Sequence, residues 1–367
     1  MSDADRLEHQ VALSLFQLLP KIHPDNRTTL VYLIVGLILG RNVQLAKIAE
    51  QVNYAYKESS LTDRFRRFVS NANVEVTIVF SIFIKLMLAG LEAEQALVLS
   101  IDTSKTGGNC ITLMLSLGYK TRAMPLCWVT FKGRKGHSPE DIQLALLKTV
   151  KLLIPADRRV VLLGDGEFDG SQVVAWLEEQ ENWQYVCRTA KDIKVRYQQQ
   201  WVALQDIPLN DRQESFFSQL RFTEAKQVGP VNIMAVWVRK DKAHWFFITN
   251  MPTLKEAKHW YRQRFKIETL FSDIKGRGFK MDKCRLKDPA RVSRLLMAVA
   301  IAYIFVVFWG VDAITSGNFR KMLRTDRFEH SLFSLGFKHI HHLLKKCLPI
   351  PPLRPFPPPS SFEHIVL

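Results

Sequence analysis

The chain has 367 residues, which is long enough for two or three domains with at least one sizeable core and excludes a short peptide or a mini-domain. Its 51 Lys and Arg outnumber 35 Asp and Glu, giving a formal net charge of +16, while 47% hydrophobic and 11% aromatic residues exclude a basic disordered tail. This charge favours a polyanionic partner, either nucleic acid or an acidic membrane.

The cysteines and the first residues bear on the compartment. The five cysteines are scattered and form no CxxC pair, which indicates reduced thiols. The first ten residues carry acids and no apolar run, so no secretory signal is expected there. We therefore expect a cytoplasmic protein.

Residues 1–92 are predicted to form helices, because apolar runs follow one another there with few turn signals. Within them, residues 42–71 are typical of two short helices joined by a turn. One side of the second helix is apolar and contains Leu61, Phe65 and Phe68. Another side carries Arg64 and Arg67, which would meet phosphates and base edges if this helix entered a major groove. A solvated basic surface explains the same pattern equally well.

From residue 93 the pattern changes to strands separated by Gly, Lys and Pro. Three apolar runs predict an antiparallel meander, at residues 96–102, 111–119 and 125–131. Helices and strands then alternate, with helices near 139–153 and 171–180 and strands at 160–165 and 184–188. This alternation predicts a parallel extension of the meander, and therefore a mixed α/β sheet.

Residues 190–252 return to short strands and are predicted to form a β-rich insertion, after which helices resume. The uncharged run at 295–311 is almost long enough to cross a bilayer. We interpret it as a buried core helix, because a lone span would be isolated in an otherwise soluble pattern; a membrane span is the alternative. The seven prolines of residues 349–359 predict an extended, polyproline-like tail.

Two carboxylates follow predicted strands, where the catalytic groups of α/β sheets usually lie. Asp102 ends the first strand, and Asp165 ends the strand at 160–165. A buried strand rarely ends in a carboxylate without a partner, which is a metal ion, an arginine or, as the structural alternative, the backbone of a cap or turn. Asp169 is expected to be the N-cap of the next helix.

A polar stripe is predicted on the segment 260–275. If this segment is one helix, with about 100° between residues, four polar side chains fall within an arc of about 60°. They are Tyr261, Arg264, Glu268 and Lys275. An ion-paired surface helix is the structural alternative for such a stripe.

The spacing of this stripe, Y-x2-R-x3-E-x6-K, resembles the signature of a large branch of bacterial insertion-sequence transposases of the DDE type. Asp102 in SIDTSKT and Asp165 in LLGDGEFD are similar to the strand-ending aspartates of that family. The resemblance covers about residues 95–310. It implies an RNase H-like mixed sheet with a β-rich insertion between the second Asp and the Glu, preceded by an all-helical DNA-binding domain. Family members often carry Arg after the second aspartate, whereas this chain has Gly166.

The resemblance implies five regions along the chain. We expect a helical DNA-end-binding domain at 1–92, the first part of the catalytic core at 93–189, the β-rich insertion at 190–252, the second part of the core with the Glu-bearing helix at 253–316, and a basic, proline-rich C-terminal region at 317–367.

The same resemblance implies metal-dependent chemistry. Asp102, Asp165 and Glu268 are the expected catalytic residues and ligands of two Mg²⁺ ions, for which Mn²⁺ can substitute. Two such ions, about 3.5–4 Å apart, neutralise the attacking and leaving oxygens of a phosphodiester. Three carboxylates suffice to hold them, because Mg²⁺ keeps several waters and binds substrate phosphate oxygens.

The resemblance also implies DNA contacts. Tyr261, Arg264 and Lys275 would hold phosphates of the cleaved strand. Three aromatic residues, Trp237, Trp245 and Phe265, are candidates for stacking on a base turned out of the duplex, although tryptophans in strands also belong to protein cores. The loop at 132–138, with Lys132, Arg134 and Lys135, either follows a DNA backbone or is a solvated turn.

The function implied by the resemblance is cut-and-paste DNA transposition. Such a transposase binds the inverted terminal repeats of an insertion sequence, cuts at their ends and joins them to target DNA, as a homodimer in a synaptic complex. It would act in the bacterial cytoplasm at the nucleoid, without a membrane partner. The alternatives are an RNase H-like DNA nuclease without strand transfer, a catalytically inactive DNA-binding regulator and a membrane protein anchored by residues 295–311.

Overall fold

A computed structural model describes residues 2–55, 57–136, 138–323 and 330–362. The chain begins with five helices: α1 (Asp3–Leu18), α2 (Pro24–Gly40), α3 (Leu45–Ala49), α4 (Glu58–Ser70) and α5 (Val76–Leu88). The two short helices predicted for residues 42–71 are thus confirmed, as α3 and α4. The apolar side of α4 is buried, as predicted from its spacing.

A mixed sheet follows the five helices. Its strands are β1 (Leu97–Gly107), β2 (Cys110–Tyr119), β3 (Arg122–Lys132), β4 (Val160–Gly164) and β5 (Trp183–Thr189), with α6 (Glu140–Leu153) before β4 and α7 (Ser171–Glu178) after it. The strand order is β3-β2-β1-β4-β5, with β1, β4 and β5 parallel and the meander antiparallel. The predicted meander and its parallel extension are confirmed.

Strand β1 extends five residues beyond its predicted end at Asp102, which therefore lies within the strand, opposite Met114 of β2. The added stretch TSKTG is polar, and its buried hydroxyl groups bond to one another across the sheet. Thr106 Oγ1 lies 2.8 Å from Thr112 Oγ1, which lies 2.9 Å from Thr130 Oγ1. Because these hydroxyl groups hydrogen-bond to one another, polar residues occupy the buried end of β1. The apolar pattern of the sequence therefore does not show where the strand ends.

The predicted β-rich insertion consists of five strands: β6 (Lys194–Tyr197), β7 (Gln200–Ala203), β8 (Ser215–Phe222), β9 (Val228–Val238) and β10 (Ala243–Thr249). It is not a separate sheet. β10 pairs antiparallel with β5 through Phe246–Thr249, so the sheet continues as β5-β10-β9-β8-β6-β7 and reaches ten strands. The insertion is thereby fixed directly to the strand next to β4.

The remaining helices are α8 (Leu254–Tyr261), α9 (Lys266–Ile274), α10 (Pro289–Thr315) and α11 (Leu332–Lys345). Among the described residues, α10 is the one helix long and apolar enough to span a bilayer, and the whole of its most apolar window is buried inside the protein. It packs against α2, α4, α5, α11 and β3, so burial on all sides explains its uninterrupted apolar sequence. This is the interpretation preferred from the sequence.

The proline-rich segment forms neither helix nor strand over residues 349–358. It does not project from the protein, however. Its carbonyl groups accept hydrogen bonds from Tyr119 Oη, at Pro357 (2.6 Å), and from Trp309 Nε1, at Pro351 (3.1 Å). The ring of Phe356 is buried against Tyr119. The segment is therefore packed along α10 and the sheet, where the sequence predicted a tail.

Candidate active site

Asp102 and Asp165 lie side by side because of the register of two parallel strands. Leu97–Ser100 of β1 pair with Val160–Leu163 of β4, and the last pair is Ser100 with Leu163. Asp102 and Asp165 each follow that last pair by two residues, so they are level at the carboxyl edge of the parallel strands. Side chains two residues apart in a strand point to the same face. Both aspartates therefore face the side of the sheet that carries α8.

The charge of the two aspartates is not balanced. Asp102 is 4% exposed. Burial, followed by the nearby Asp165 carboxylate, raises the pKa of Asp102 to about 6, although Lys135 and Arg264 oppose the shift. Each carboxylate accepts one local hydrogen bond: Asp102 Oδ1 from Thr103 N (2.7 Å) and Asp165 Oδ1 from Glu167 N (3.1 Å). The pair retains oxygens and negative charge that a cation would neutralise.

The segment expected to be one helix over 260–275 is broken. Helix α8 ends at Tyr261, a 3₁₀ turn spans Arg262–Phe265, and α9 runs from Lys266 to Ile274. Lys275 follows the helix with φ −97° and ψ −123°, which is outside the helical region. Because a 3₁₀ turn has about three residues per turn instead of 3.6, the stripe calculated for a single α-helix is wrong as geometry.

Arg264 and Glu268 nevertheless come to the aspartates. Arg264 Nη2 donates to Glu268 Oε1 at 2.6 Å, and Nη1 of the same guanidinium lies 3.9 Å from Asp102 Oδ2. Arg264 is 7% exposed and its Nε has no partner, whereas the Glu268 side chain is half-exposed. Among the described residues no three His, Cys, Asp or Glu side chains form a ready metal site, because the guanidinium lies between Asp102 and Glu268.

The other two residues of the stripe diverge. Lys275 Nζ donates to Ser104 Oγ, two residues along β1 from Asp102, and burial and the nearby Lys135 lower the pKa of Lys275. Tyr261 is buried, with its ring edge-on to Phe247 at 4.5 Å between centroids. Burial raises the pKa of Tyr261 to about 12. Lys275 thus contacts the strand of Asp102 from the end of α9, whereas Tyr261 packs in the small core that includes Val161 and Leu163 of β4.

The aromatic candidates lie on the insertion and on the 3₁₀ turn. Trp237 and Trp245 are half-buried, and Trp245 packs against the hydrophobic cluster that contains Phe247 and Tyr261. The guanidinium of Arg188 lies 3.7 Å from the ring centre of Trp245, and Trp245 Nε1 donates to Asp241 at 2.8 Å. Phe265 is 49% exposed and lies against the Arg264 guanidinium at 4.6 Å. Trp245 and Phe265 therefore have ring surface outside the core.

The cations of loop 132–138 line one side of a groove of about 840 Å³. Lys132, Arg134 and Lys135 are exposed there, and Lys275 and the exposed Lys105 of β1 line the same groove. One acid, Asp282, lines the groove, and its carboxylate lies 3.7 Å from Nζ of the neighbouring Lys283. Because Lys275 lines the groove and donates to Ser104, two residues from Asp102 on β1, this positive groove opens beside Asp102.

In the N-terminal helices the two arginines differ. Arg64 Nε donates to Thr29 Oγ1 at 2.7 Å and its Nη2 donates to the Asp25 carbonyl at 3.2 Å, so Arg64 ties α4 to α2. Arg67 is exposed. The surface available to a polyanion on α4 is thus smaller than the sequence indicates.

Two acids have roles that the sequence did not indicate. The expected N-cap of α7, Asp169, does not cap it; Glu140 of α6 accepts from the backbone of Gln172 (2.6 Å) and Val173 (3.2 Å) instead. Glu167 accepts from Thr103 Oγ1 at 2.9 Å and from Ser138 N at 2.5 Å. Both contacts join distant parts of the chain, and the acidic stretch DGEFD was the one sequence signal for Glu167.

Comparisons with known proteins give one family. A family model described as "Transposase DDE domain" matches residues 94–305, a range that includes Asp102, Asp165 and Glu268. No curated protein sequence matches the chain. Among solved structures, a cryo-EM structure of the piggyBac transposase synaptic complex with hairpin DNA is similar with a TM-score of 0.43 and 12% identity, over 95% of this chain and 80% of that one. Because the family model spans more than half of the chain, the chain belongs to the DDE transposases, enzymes that use divalent metal ions to cleave DNA and transfer its strands.

Proposed function

We propose that this transposase cuts and joins the inverted terminal repeats of an insertion sequence, with Asp102, Asp165 and Glu268 as its catalytic carboxylates. One observation carries the proposal: Asp102 and Asp165 are level at the carboxyl edge of two parallel strands, and the guanidinium that lies 3.9 Å from Asp102 is bonded to Glu268 at 2.6 Å. The strand order β3-β2-β1-β4-β5 supports an RNase H-like core around this edge.

The carboxylates suit Mg²⁺ or Mn²⁺. Carboxylate oxygens are the protein ligands that Mg²⁺ prefers, and a buried pair of like charges gains from a cation. Asp102, Asp165 and Glu268 would hold two ions, which when bound supply charge neutralisation at the attacking and leaving oxygens. The positive groove beside Asp102 would orient the DNA strand toward these three carboxylates.

Arg264 has a second role in this proposal. In the free protein it bridges Glu268 and Asp102. A DNA phosphate competes with a carboxylate for a guanidinium through the same planar fork of donors. Arg264 would therefore exchange Glu268 for a phosphate of the cleaved strand, which frees the carboxylate as a ligand.

The remaining DNA contacts follow from exposure and charge. Lys132, Arg134 and Lys135 would neutralise backbone phosphates along the groove, with Lys275 at its inner end. Phe265 and Trp245 would stack on an unpaired base. The helices of residues 1–92, with Arg67 exposed on α4, would hold the DNA end, and two copies of the chain would pair two ends in a homodimer.

The decisive experiment measures nicking of a terminal-repeat duplex in Mg²⁺ for Asp102→Ala, Asp165→Ala and Glu268→Ala. Each variant should lose cleavage and retain end binding. Asp157→Ala, which removes an exposed acid from the turn before β4, away from the carboxyl edge of the strands, is the matched control and should cleave normally. Normal nicking by any of the three variants would remove that residue from the ligand set.

A second arm tests the joining step. Pre-cut ends and target duplex are supplied to the wild-type protein with Mg²⁺, and joined products are measured. Products with the repeat's 3′ end linked to target DNA are expected. Their absence, with nicking intact, would contradict cut-and-paste transposition.

A further inference from the structure

Glu167 joins four parts of the structure around Asp102 and Asp165. It lies two residues after Asp165 in the turn between β4 and α7, and its backbone N–H donates to Asp165 Oδ1 at 3.1 Å. Its carboxylate accepts from Thr103 Oγ1 of β1 at 2.9 Å and from Ser138 N, at the end of the basic loop, at 2.5 Å. Its carbonyl accepts from the buried Gln143 of α6 at 3.0 Å. One residue thus connects β1, the Asp165 turn, the basic loop and α6.

The carboxylate of Glu167 does not lie with the catalytic ones. Thr103 directly follows Asp102 in a regular stretch of β1, and successive strand side chains point to opposite faces of a sheet. Glu167 therefore bonds to the face opposite Asp102, whereas Glu268 and Arg264 approach from the face of Asp102. Both oxygens of Glu167 are engaged by protein donors. A role as a further metal ligand does not fit this arrangement.

The contacts of Glu167 reach both aspartates in one step. Thr103, whose hydroxyl bonds to Glu167, donates its backbone N–H to Asp102 Oδ1 at 2.7 Å. Asp165 is bonded to the backbone of Glu167 itself. Because the two oxygens of one planar carboxylate accept from Thr103 and from Ser138, the side chain fixes the spacing of the elements that it joins.

We propose that Glu167 is a positioning residue, which holds the Asp165 turn and the basic loop in register with Asp102 from the opposite face of the sheet. The inference rests on the proposed function, since the register matters only if the two aspartates act together. Partners that orient metal ligands typically change metal affinity or activity by about 10–100-fold when they are removed.

The test compares Glu167→Gln with Glu167→Ala. Glutamine keeps an acceptor for Ser138 N–H and places an amide donor against the Thr103 hydroxyl, which is able to accept, so it preserves the geometry without the charge. We expect Glu167→Gln to nick within a few-fold of wild type. Glu167→Ala should nick about 10–100-fold more slowly and require more Mg²⁺ for its half-maximal rate. Glu179→Ala, an exposed acid at the end of α7, is the matched control.

Two readouts are independent of catalysis. Hydrogen exchange at the Ser138 amide, measured without metal or DNA, should accelerate in Glu167→Ala and remain slow in Glu167→Gln. A double-mutant cycle with Thr103→Val should be non-additive, because the two changes remove the same contact. If Glu167→Ala does not fold, Thr103→Val alone should show the slower nicking to a smaller degree.

Several outcomes would overturn the inference. Equal loss in Glu167→Gln and Glu167→Ala, with Ser138 protected in the Gln variant, would assign a role to the charge itself. Wild-type nicking by Glu167→Ala, or additive effects in the cycle, would remove any positioning role. A wild-type protein that fails to nick terminal repeats would contradict the proposed function instead. The hydrogen-exchange measurement would still show whether Glu167 holds Ser138 in place.

Discussion

Two buried aspartates illustrate opposite uses of an acid in this chain. Asp273, at the end of α9, is bonded to Arg122 of β3 at 2.9 Å in a nearly dry ion pair. Asp102 faces a second carboxylate, Asp165, and the guanidinium of Arg264 lies 3.9 Å from it. Burial raises the pKa of both to about 6; cations oppose the shift at each, but only at Asp102 does a neighbouring carboxylate, Asp165, add to it.

A third acid belongs with Asp273. Asp312 of the buried helix α10 lies 3.3 Å from His339 Nε2 and 3.3 Å from Arg354. The acids within the helical core thus have close protein partners that neutralise them or donate to them, whereas at the sheet edge two carboxylates share one more distant guanidinium, that of Arg264, 3.9 Å from Asp102. Substitutions should therefore cost stability at the first kind of acid and catalysis at the second.

The largest effect is expected at the edge. Asp102→Asn should lower the nicking rate by at least about 10³-fold, because several kcal/mol of transition-state charge stabilisation depend on the bound metal. The free energy of unfolding should stay constant or rise, since the change removes repulsion from Asp165. Single-turnover nicking and chemical denaturation measure the two quantities. If Asp102→Asn lowered the free energy of unfolding by as much as it raised the activation free energy of nicking, the distinction between the sheet edge and the helical core would be refuted.

The reverse is expected for the core pair. Arg122→Met leaves the Asp273 side chain, 3% exposed, without its partner and should lower the free energy of unfolding by about 3–5 kcal/mol. Chemical denaturation at neutral pH measures the change.

A double variant is the control for this second prediction. In Arg122→Met with Asp273→Leu, apolar side chains replace both charges, so most of the loss should be recovered. A single variant as stable as wild type would show that Asp273 is neutralised in another way.

Asp273 also gives a pH dependence of known sign. Its folded-state pKa of about 6 lies above the ordinary aspartate value of 3.8, so its stabilising contribution is complete below the lower value and is lost as the pH rises through the upper one. The Asp273→Asn variant has no ionisable group at this position, so its stability does not decrease in this way. From about pH 4 to about pH 7, the unfolding free energy of the Asn variant should rise relative to wild type by up to about 3 kcal/mol. A pH-independent difference, measured by denaturant titration, would contradict the raised pKa.

Much of the fold is predicted from the sequence, because buried helices and strands carry apolar residues at regular spacing. The meander, the alternation that places Asp165 after β4 and the buried helix α10 all follow from apolar periodicity. The pattern fails where buried residues are polar. The Thr106, Thr112 and Thr130 hydroxyls satisfy one another across strands, so β1 continues past Asp102 with no apolar signal.

The site is predicted in its residue types and not in its contacts. Local spacing groups Arg264 with Glu268, but it does not show the 3₁₀ turn before α9 or the guanidinium between Glu268 and Asp102. Glu167 is beyond the reach of spacing altogether, because its partner Thr103 is 64 residues away in the chain. Contacts of this kind depend on strand register, which one sequence does not record.

The smallest effect is expected for an exposed cation of the groove, in contrast to the ion-paired cation of the core. Arg122 is neutralised by an acid, whereas the side chain of Lys105 is exposed in the groove and forms no hydrogen bond or ion pair with the described residues. Lys105→Ala should therefore leave stability unchanged and weaken DNA binding by at most about tenfold at about 0.1 M salt, with the salt slope of log K smaller by about 1, as for one lost phosphate contact. Filter binding over a salt series measures both, and Lys148→Ala, an exposed lysine of α6, is the matched control. An unchanged slope in Lys105→Ala, or an equal change in Lys148→Ala, would mean that the groove carries no phosphate at Lys105.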